Sequence, residues 1–185
     1  MNQNSKKIRL SFSLINQWMK GDVAGAVNTY FRLSGNTTPA MEDGRKIHKE
    51  IADHIIKNRS LPDFLPNFAL VAPIAEKELI VSYNEMFDLK VIIDCLDIPV
   101  IYEWKTGGQD SIDWARTYQL PLYFLVCGMS GIKVDSGYLA HYNQKTKEKD
   151  FVIIHNSPTK IEEAKNLVDS IGYEVYQYFS DSGLI

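Results

Sequence analysis

The apolar positions of this chain change period several times, and each change marks an element. Over residues 10 to 32 they recur at helical spacing, and a serine of Leu10-Ser11-Phe12-Ser13 suits the cap of a helix carrying Leu14, Ile15 and Trp18. Gly21-Asp22 interrupts that helix, and a second one is predicted to about Arg32. Ser34-Gly35-Asn36-Thr37-Thr38-Pro39 has the content of a loop. From 40 to 57 the period is helical again, with Ile47, Ile51 and Ile55 in one stripe at four-residue spacing. Pro62, Pro66 and Pro73 rule out a long regular element after it.

Beyond residue 75 the period shortens to two. Residues 76–83 alternate as a strand does, Asn84-Glu85 turns the chain, and 87–96 is rich in β-branched residues. Asp97-Ile98-Pro99 makes the next turn, and 100–105 is a third strand, broken off by Thr106-Gly107-Gly108. Residues 112–127 read as a helix kinked at Pro121. A hairpin follows, from 134–142 and 151–154 around a polar turn that starts at Asn143. Ser157-Pro158 opens a last helix with Ile161, Ala164, Leu167, Val168 and Ile171 on its apolar side. The order is helix, three strands, helix, two strands, helix, with no repeat and no linker. It predicts one domain over 1–185, an α/β (α+β) fold with a central mixed sheet flanked by helices.

Composition sets limits on this picture. Of 185 residues 45% are hydrophobic, enough for a sizeable core, and 23% are charged with no low-complexity stretch, which argues for an ordered chain. The formal net charge of −3 argues mildly against a nucleic-acid binder, although acidic metal ligands lower the average without removing a local basic patch. Lys6, Lys7 and Arg9, and Arg45, Lys46 and Lys49, are candidates for such a patch; otherwise they are solvated faces. Cys95 and Cys127 lie in apolar runs and read as reduced, buried thiols, too few for a four-cysteine zinc or iron–sulfur site. No signal-like stretch opens the sequence and no apolar run approaches the ~18 residues of a membrane span. A cytoplasmic protein without a membrane partner is expected.

Candidate chemistry collects between the second and third predicted strands. Side chains alternate along a strand, so Glu103 and Lys105 share a face and Trp104 takes the other. A hairpin turning at Ile98-Pro99 brings Asp94 level with Glu103. Two carboxylates at short range repel, and a Mg²⁺ or Mn²⁺ ion between them relieves the repulsion while polarising a phosphodiester and a bound water. Lys105 suits the orientation of that water or the charge developing on phosphorus, or else a plain ion pair with Glu103. The apolar runs Val91-Ile92-Ile93 and Val100-Ile101-Tyr102 ahead of these charges favour a site over a solvated face, because buried charge needs pairing or metal.

Four pieces then occur in order: Gly44-Arg45-Lys46-Ile47-His48, Ile93-Asp94, Glu103-Trp104-Lys105-Thr106-Gly107, and Gln119-Leu120-Pro121-Leu122-Tyr123. Together they resemble the PD-(D/E)XK nuclease superfamily, and within it the RecB-type nuclease domain. The resemblance implies a restriction-endonuclease-like core in the order αβββαβ and a metal-dependent DNA nuclease, most naturally an exonuclease of recombination, repair or phage DNA processing. It implies one or two Mg²⁺ or Mn²⁺ ions held by His48, Asp94, Glu103 and the Trp104 carbonyl, with Asp94, Glu103 and Lys105 as the catalytic groups. Gln119 and Tyr123 would contact the DNA backbone or support the lysine. Arg116, three residues before Gln119, is expected on the same helix face and would meet a phosphate. A homo-oligomer that clamps DNA and a recombination or replication partner protein fit the same picture.

The sequence departs from the pattern in places. The acid before the lysine is Glu103 where RecB-type domains often have Asp, Pro121 interrupts the last motif, the cysteines of an iron–sulfur cluster are missing, and no Gly-x-x-x-x-Gly-Lys-Ser/Thr loop is present. The rival readings are a structure-specific or restriction-like endonuclease and a non-catalytic DNA-binding or assembly module of the same fold. Around the site, Asp97 is expected in a turn and Glu76, Glu78 and Asp88 at the surface. His54, His141 and His155 match no motif. Trp104 and Trp114 are expected to pack, and Tyr173, Tyr176 and Tyr178 to serve the core or an oligomer contact.

Overall fold

The period-two segments assemble into one mixed sheet of six strands, one more than the alternation predicts. The computed structural model describes residues 7–33, 38–106, 109–143 and 146–185. Lys6, the Ser34-Gly35-Asn36-Thr37 part of the expected loop, the Gly107-Gly108 break and Gln144-Lys145 of the polar turn lie outside the described residues. The first half of the chain holds β1 (Ile8–Ser11), α1 (Phe12–Met19), α2 (Val23–Phe31), α3 (Pro39–Asn58), β2 (Ile74–Ser82), β3 (Phe87–Asp97) and β4 (Val100–Lys105). The second holds α4 (Gln109–Trp114), a π-helical turn (Ala115–Gln119), α5 (Leu120–Met129), β5 (Ser136–Tyr142), β6 (Lys149–His155) and α6 (Pro158–Asp181).

The additional strand is β1. Its 4 residues are too few for alternation to stand apart from the helix that follows. Ser11 serves both elements: it closes β1, and its Oγ accepts from the Leu14 N–H at 3.3 Å to cap α1. β1 lies parallel to β3, with Ile8 opposite Phe87 and Ser11 opposite Lys90.

β3 is the spine of the sheet. β2 runs antiparallel along one of its edges, from Ile74 opposite Leu96 to Ser82 opposite Asp88. The other edge is shared between two strands: β1 takes residues 87–90 and β4 takes 95–97. Between them, residues 91–94 face a fork in which no strand among the described residues pairs with that edge. Beyond β4 the sheet continues with β5, parallel to it, and β6, antiparallel to β5.

Helices cover both faces. On one, α1, α5 and α6 pack against Phe87, Leu89, Val91 and Ile93 in the larger core. On the other, Ile51 and Ile55 of α3 join Leu61 and Leu65 over Cys95, Tyr102, Trp104 and Ala140. β3 changes sides on the way. Val91 and Ile93 belong to the larger core, yet Cys95 belongs to the smaller one. The alternation therefore reverses at Asp94. Glu76 lies opposite Asp94, between the pairs Ala75–Cys95 and Lys77–Ile93, and has a φ of 50°, a left-handed conformation that few side chains adopt.

The proline-bearing stretch between α3 and β2 is irregular, as predicted, and side chains satisfy its backbone. The Asp97 carboxylate accepts from the Val71 and Ala72 N–H groups at 2.8 and 2.7 Å, and Arg59 donates to the Pro73 carbonyl at 3.0 Å. Asp97 is thus a buried structural carboxylate at the end of β3. The kink expected at Pro121 is a π-helical turn that ends before it; Pro121 sits in the first turn of α5, where a missing N–H is tolerated. Both cysteines are free and buried, as expected. Among the described residues no helix is long and apolar enough to cross a membrane.

α6 approaches the sheet most closely at Gly172, where a Cβ would lie 2.6 Å from Phe87 Cζ and 2.8 Å from Leu10 Cδ1. Phe87 and Leu10 are fully buried and have nowhere to retreat. Gly172→Ala, which would help an isolated helix by roughly 1 kcal/mol, is expected instead to destabilise the fold by about 1–3 kcal/mol. Urea unfolding measures the difference, and a gain in stability would contradict this packing.

Candidate active site

Asp94 and Glu103 meet at the fork. The last β3–β4 pair before it joins Cys95 to Tyr102, so the next positions outward are Asp94 on one strand and Glu103 on the other. There a side chain takes over from the ladder: the Trp104 N–H donates to Asp94 Oδ2 at 2.8 Å. The N–H and C=O of one extended residue leave by the same edge, so the Trp104 carbonyl faces the fork as well. The indole turns to the smaller core, where it is buried and stacks on Tyr102.

Glu103 is only 3% exposed. Lys105, on the same face of β4, donates to Glu103 Oε1 at 2.7 Å, and Gln119 Nε2 donates to that same oxygen at 2.6 Å. Glu103 Oε2 is buried and has no hydrogen-bond partner among the described residues. Gln119 also donates to Tyr123 Oη at 2.6 Å, and the Tyr123 O–H donates to the Ile92 carbonyl at 2.8 Å. Ile92 lies in the stretch of β3 left open by the fork, so Tyr123 provides a partner that no strand supplies. Gln119 and Tyr123 are thus buried and turned toward Glu103 and the sheet.

Arg116 does not join them. It lies in the π-helical turn, whose wider spacing rotates it away from Gln119, and it is exposed with Asp113 3.5 Å away. The face expected to hold Arg116, Gln119 and Tyr123 together is not formed. His48 comes from the opposite side of the sheet, on α3, and its Nδ1 stands 3.5 Å from Asp94 Oδ1. That contact is too long for a strong hydrogen bond. Gly44, one turn earlier, faces Thr106, whose Oγ1 would lie 3.3 Å from an added Cβ. A side chain there would have to move the Thr106 hydroxyl aside by a few tenths of an ångström.

An open cleft of about 830 Å³ runs between α3 and the sheet, with His48, Asp94, Lys105 and Glu76 in its lining. Glu76 is exposed, as expected, and also lines this cleft. The cue to its place is the hairpin turning near Asn84-Glu85, which sets it opposite Asp94. Burial, then the charge of Asp94, raises the Glu103 carboxyl to about 7 against the pull of Lys105. Partial desolvation, then Asp94, raises Glu76 as well. Burial opposes protonation of His48, but the hydrogen bond and charge of Asp94, with the charge of Glu103, outweigh it and raise its pKa.

Such a cluster is short of positive charge. No three His, Cys, Asp or Glu side chains among the described residues stand gathered as a ready metal site. The donor set nonetheless fits a hard divalent ion: the partnerless Glu103 Oε2, Asp94 Oδ1 with only its long His48 contact, and the Trp104 carbonyl on the same edge.

The split sheet, with an acid on the spine strand, acid-x-Lys on the next and a Gln–Tyr helix behind, is consistent with a fold of the PD-(D/E)XK nuclease type. Solved exonucleases share it. An alkaline exonuclease (LHK-Exo) from Laribacter hongkongensis matches with a TM-score of 0.56 at 11% identity, covering 95% of this chain and 93% of that one. A phage related exonuclease from Haemophilus somnus 129PT matches with a TM-score of 0.53 at 11% identity over 96% of this chain and 97% of that one. SSO0001 matches with a TM-score of 0.57 at 12% identity, covering 90% and 76%. At these identities the likeness is one of fold. No family model and no curated protein matches the sequence.

Two expectations follow from the geometry. Tyr123→Phe removes the donor to the Ile92 carbonyl in a partly buried gap and should destabilise the protein by about 0.5–1.5 kcal/mol, measured by urea unfolding. The folded state raises the pKa of Glu103 above its ordinary 4.5, to about 7, and raises that of His48 too. Both contributions are fully present at low pH and are lost as pH rises through the folded values. In a chelator, stability should therefore fall between about pH 5 and pH 7.5, and Glu103→Gln should flatten the profile. A wild-type profile that rises over that window would contradict this reading.

Proposed function

We propose that this chain is a metal-dependent DNA nuclease, an exonuclease of recombination, repair or phage DNA processing. The observation that carries the proposal is the buried, partnerless Glu103 Oε2 beside Asp94, with Lys105 on the other oxygen of the same carboxylate. A purely structural ion pair would satisfy both oxygens or be replaced by apolar side chains at little loss. The exonuclease names of the structural neighbours, and a solved complex of LHK-Exo with dAMP, support DNA as the substrate.

Asp94 and Glu103, with a ring nitrogen of His48 and the Trp104 carbonyl, would hold one or two Mg²⁺ or Mn²⁺ ions. Bound there, an ion supplies polarisation of the scissile phosphate and a water of lowered pKa. The side chains do the rest. Glu103 would hold the ion as a carboxylate, with Gln119 keeping its Oε1 in place. Lys105, beside Glu103 on the same face of β4, would orient the attacking water and offset charge on the phosphate oxygens. The new bond forms from water to phosphorus as the ester bond to the departing sugar breaks. The exposed Arg116 remains able to meet a backbone phosphate, a contact that carries no sequence information.

The test compares wild type with Lys105→Ala and Asp94→Asn on linear, circular and single-stranded DNA in Mg²⁺ or Mn²⁺. Both substitutions should slow cleavage by roughly 10²-fold or more. Cleavage of linear DNA alone identifies an exonuclease, and nicking of circles replaces that reading with an endonuclease. Variants as fast as wild type would show that the site lies elsewhere, and a folded but inactive wild type would leave a DNA-binding module.

A further inference from the structure

β2 and β3 change faces at the same rung. Ala75 packs in the smaller core, yet Leu79 and Val81, an even number of residues further on, pack against the larger one. In an unbroken strand all three would share a face. The reversal in β2 falls at Glu76, where φ is 50°, and the reversal in β3 falls opposite it, at Asp94. Pairing is regular on either side, Ala75 with Cys95 and Lys77 with Ile93.

For stability, glutamate is a poor choice at this rung. Asparagine takes a left-handed backbone more readily than a longer side chain does. Facing side chains of antiparallel strands stand about 4.5–5.5 Å apart at Cβ, and the residue that faces Glu76 is Asp94, a like charge. Partial desolvation, then the charge of Asp94, disfavours the ionised form of Glu76, and only His48 favours it. Among the described residues its carboxylate makes no hydrogen bond or ion pair. A side chain held against both its backbone and its neighbour points to a use.

The charges in the fork show what that use is. Asp94 and Glu103 supply two negative charges, and Lys105, 2.7 Å from Glu103 Oε1, cancels one. A divalent cation there would keep half of its charge uncompensated, which is costly where Glu103 is almost wholly buried. Of the other acids lining the cleft, Asp53 is engaged by Lys49 at 2.7 Å. Glu76 is the carboxylate left to close the balance.

We propose that Glu76 belongs to the metal site, as a third carboxylate whose charge completes the neutralisation of the ion and sets how tightly it is held. It stands outside the donor set of Asp94, Glu103 and the Trp104 carbonyl, because no three acidic or histidine side chains among the described residues are gathered as a ready site. Groups at that remove still change metal affinity by roughly 10–100-fold. The inference rests on the nuclease reading of the cleft and adds a residue to it.

Calorimetric titration with Mn²⁺ tests this without any turnover. Glu76→Gln keeps the length of the side chain and drops its charge, and it should weaken Mn²⁺ binding by about tenfold or more. Glu78→Gln, on the same strand but paired with Lys90, controls for net charge and should bind Mn²⁺ as wild type does. Glu76→Asn suits the left-handed backbone and removes the like charge. In a chelator it should melt about 2–4 °C above wild type, an outcome that a purely structural role for Glu76 does not give. The role of Glu76 is overturned, with the nuclease reading intact, by any of three results: Glu76→Gln binds Mn²⁺ as tightly as wild type, Glu78→Gln weakens binding as much, or Glu76→Asn melts no higher than wild type. A wild type that binds no Mn²⁺ overturns the nuclease reading, and the role of Glu76 with it.

Discussion

One edge of β3 is claimed by two strands, and the charged groups gather where neither holds it. β1 occupies residues 87–90 and β4 occupies 95–97. Had β4 gone on pairing past Tyr102, Asp94 and Glu103 would stand directly across a ladder, an arrangement in which like charges repel. The strands part there instead. The open edge is closed by polar contacts: Asp94 takes the Trp104 N–H, and Tyr123 gives its hydroxyl to the Ile92 carbonyl. The sheet therefore pays no penalty of orphaned backbone at these two points, yet it keeps two carboxylates close together.

The fork also explains how helices from both layers reach one site. In an unbroken sheet, α3 and α5 would be separated by a full layer of backbone. Here Gln119 approaches Glu103 from the larger core, and His48 approaches Asp94 from the smaller one. Burial at the crossing gives the site its electrostatics. It raises Glu103 to about 7 and leaves one of its oxygens with no donor. The same desolvation that makes the carboxylate costly makes a cation beside it favourable, which is why strain of this kind marks functional sites more than stable cores.

Much of this was legible in the sequence, and the failures have physical causes. Strands β2 to β6 follow from alternation, and the hairpin at Ile98-Pro99 brings Asp94 to Glu103 as expected. β1 was missed because its 4 residues run straight into a helix whose cap belongs to both elements. Asp97 was read as a turn residue, but its carboxylate satisfies two N–H groups more than 20 positions away, which no local signal encodes. Arg116 was placed on the wrong face because a regular 3.6-residue turn was assumed across a segment that is π-helical. Glu76 is exposed, as expected, but alternation treats strands as uniform and gave no sign that the reversal at Asp94 would set it along the cleft.

The motif spacings are more legible than the rest because the fork imposes them. Gly44 and His48 stand one turn apart since the helix must pass close to Thr106 before a side chain can turn to Asp94. Glu103 and Lys105 stand two apart since both must face the gap from one strand. Gln119 and Tyr123 stand four apart since one must reach Glu103 while the other reaches the Ile92 carbonyl. These spacings constrain few positions, and the packing elsewhere accepts many apolar combinations. A fold can then be shared at 11 to 12% identity, as it is with the solved exonucleases.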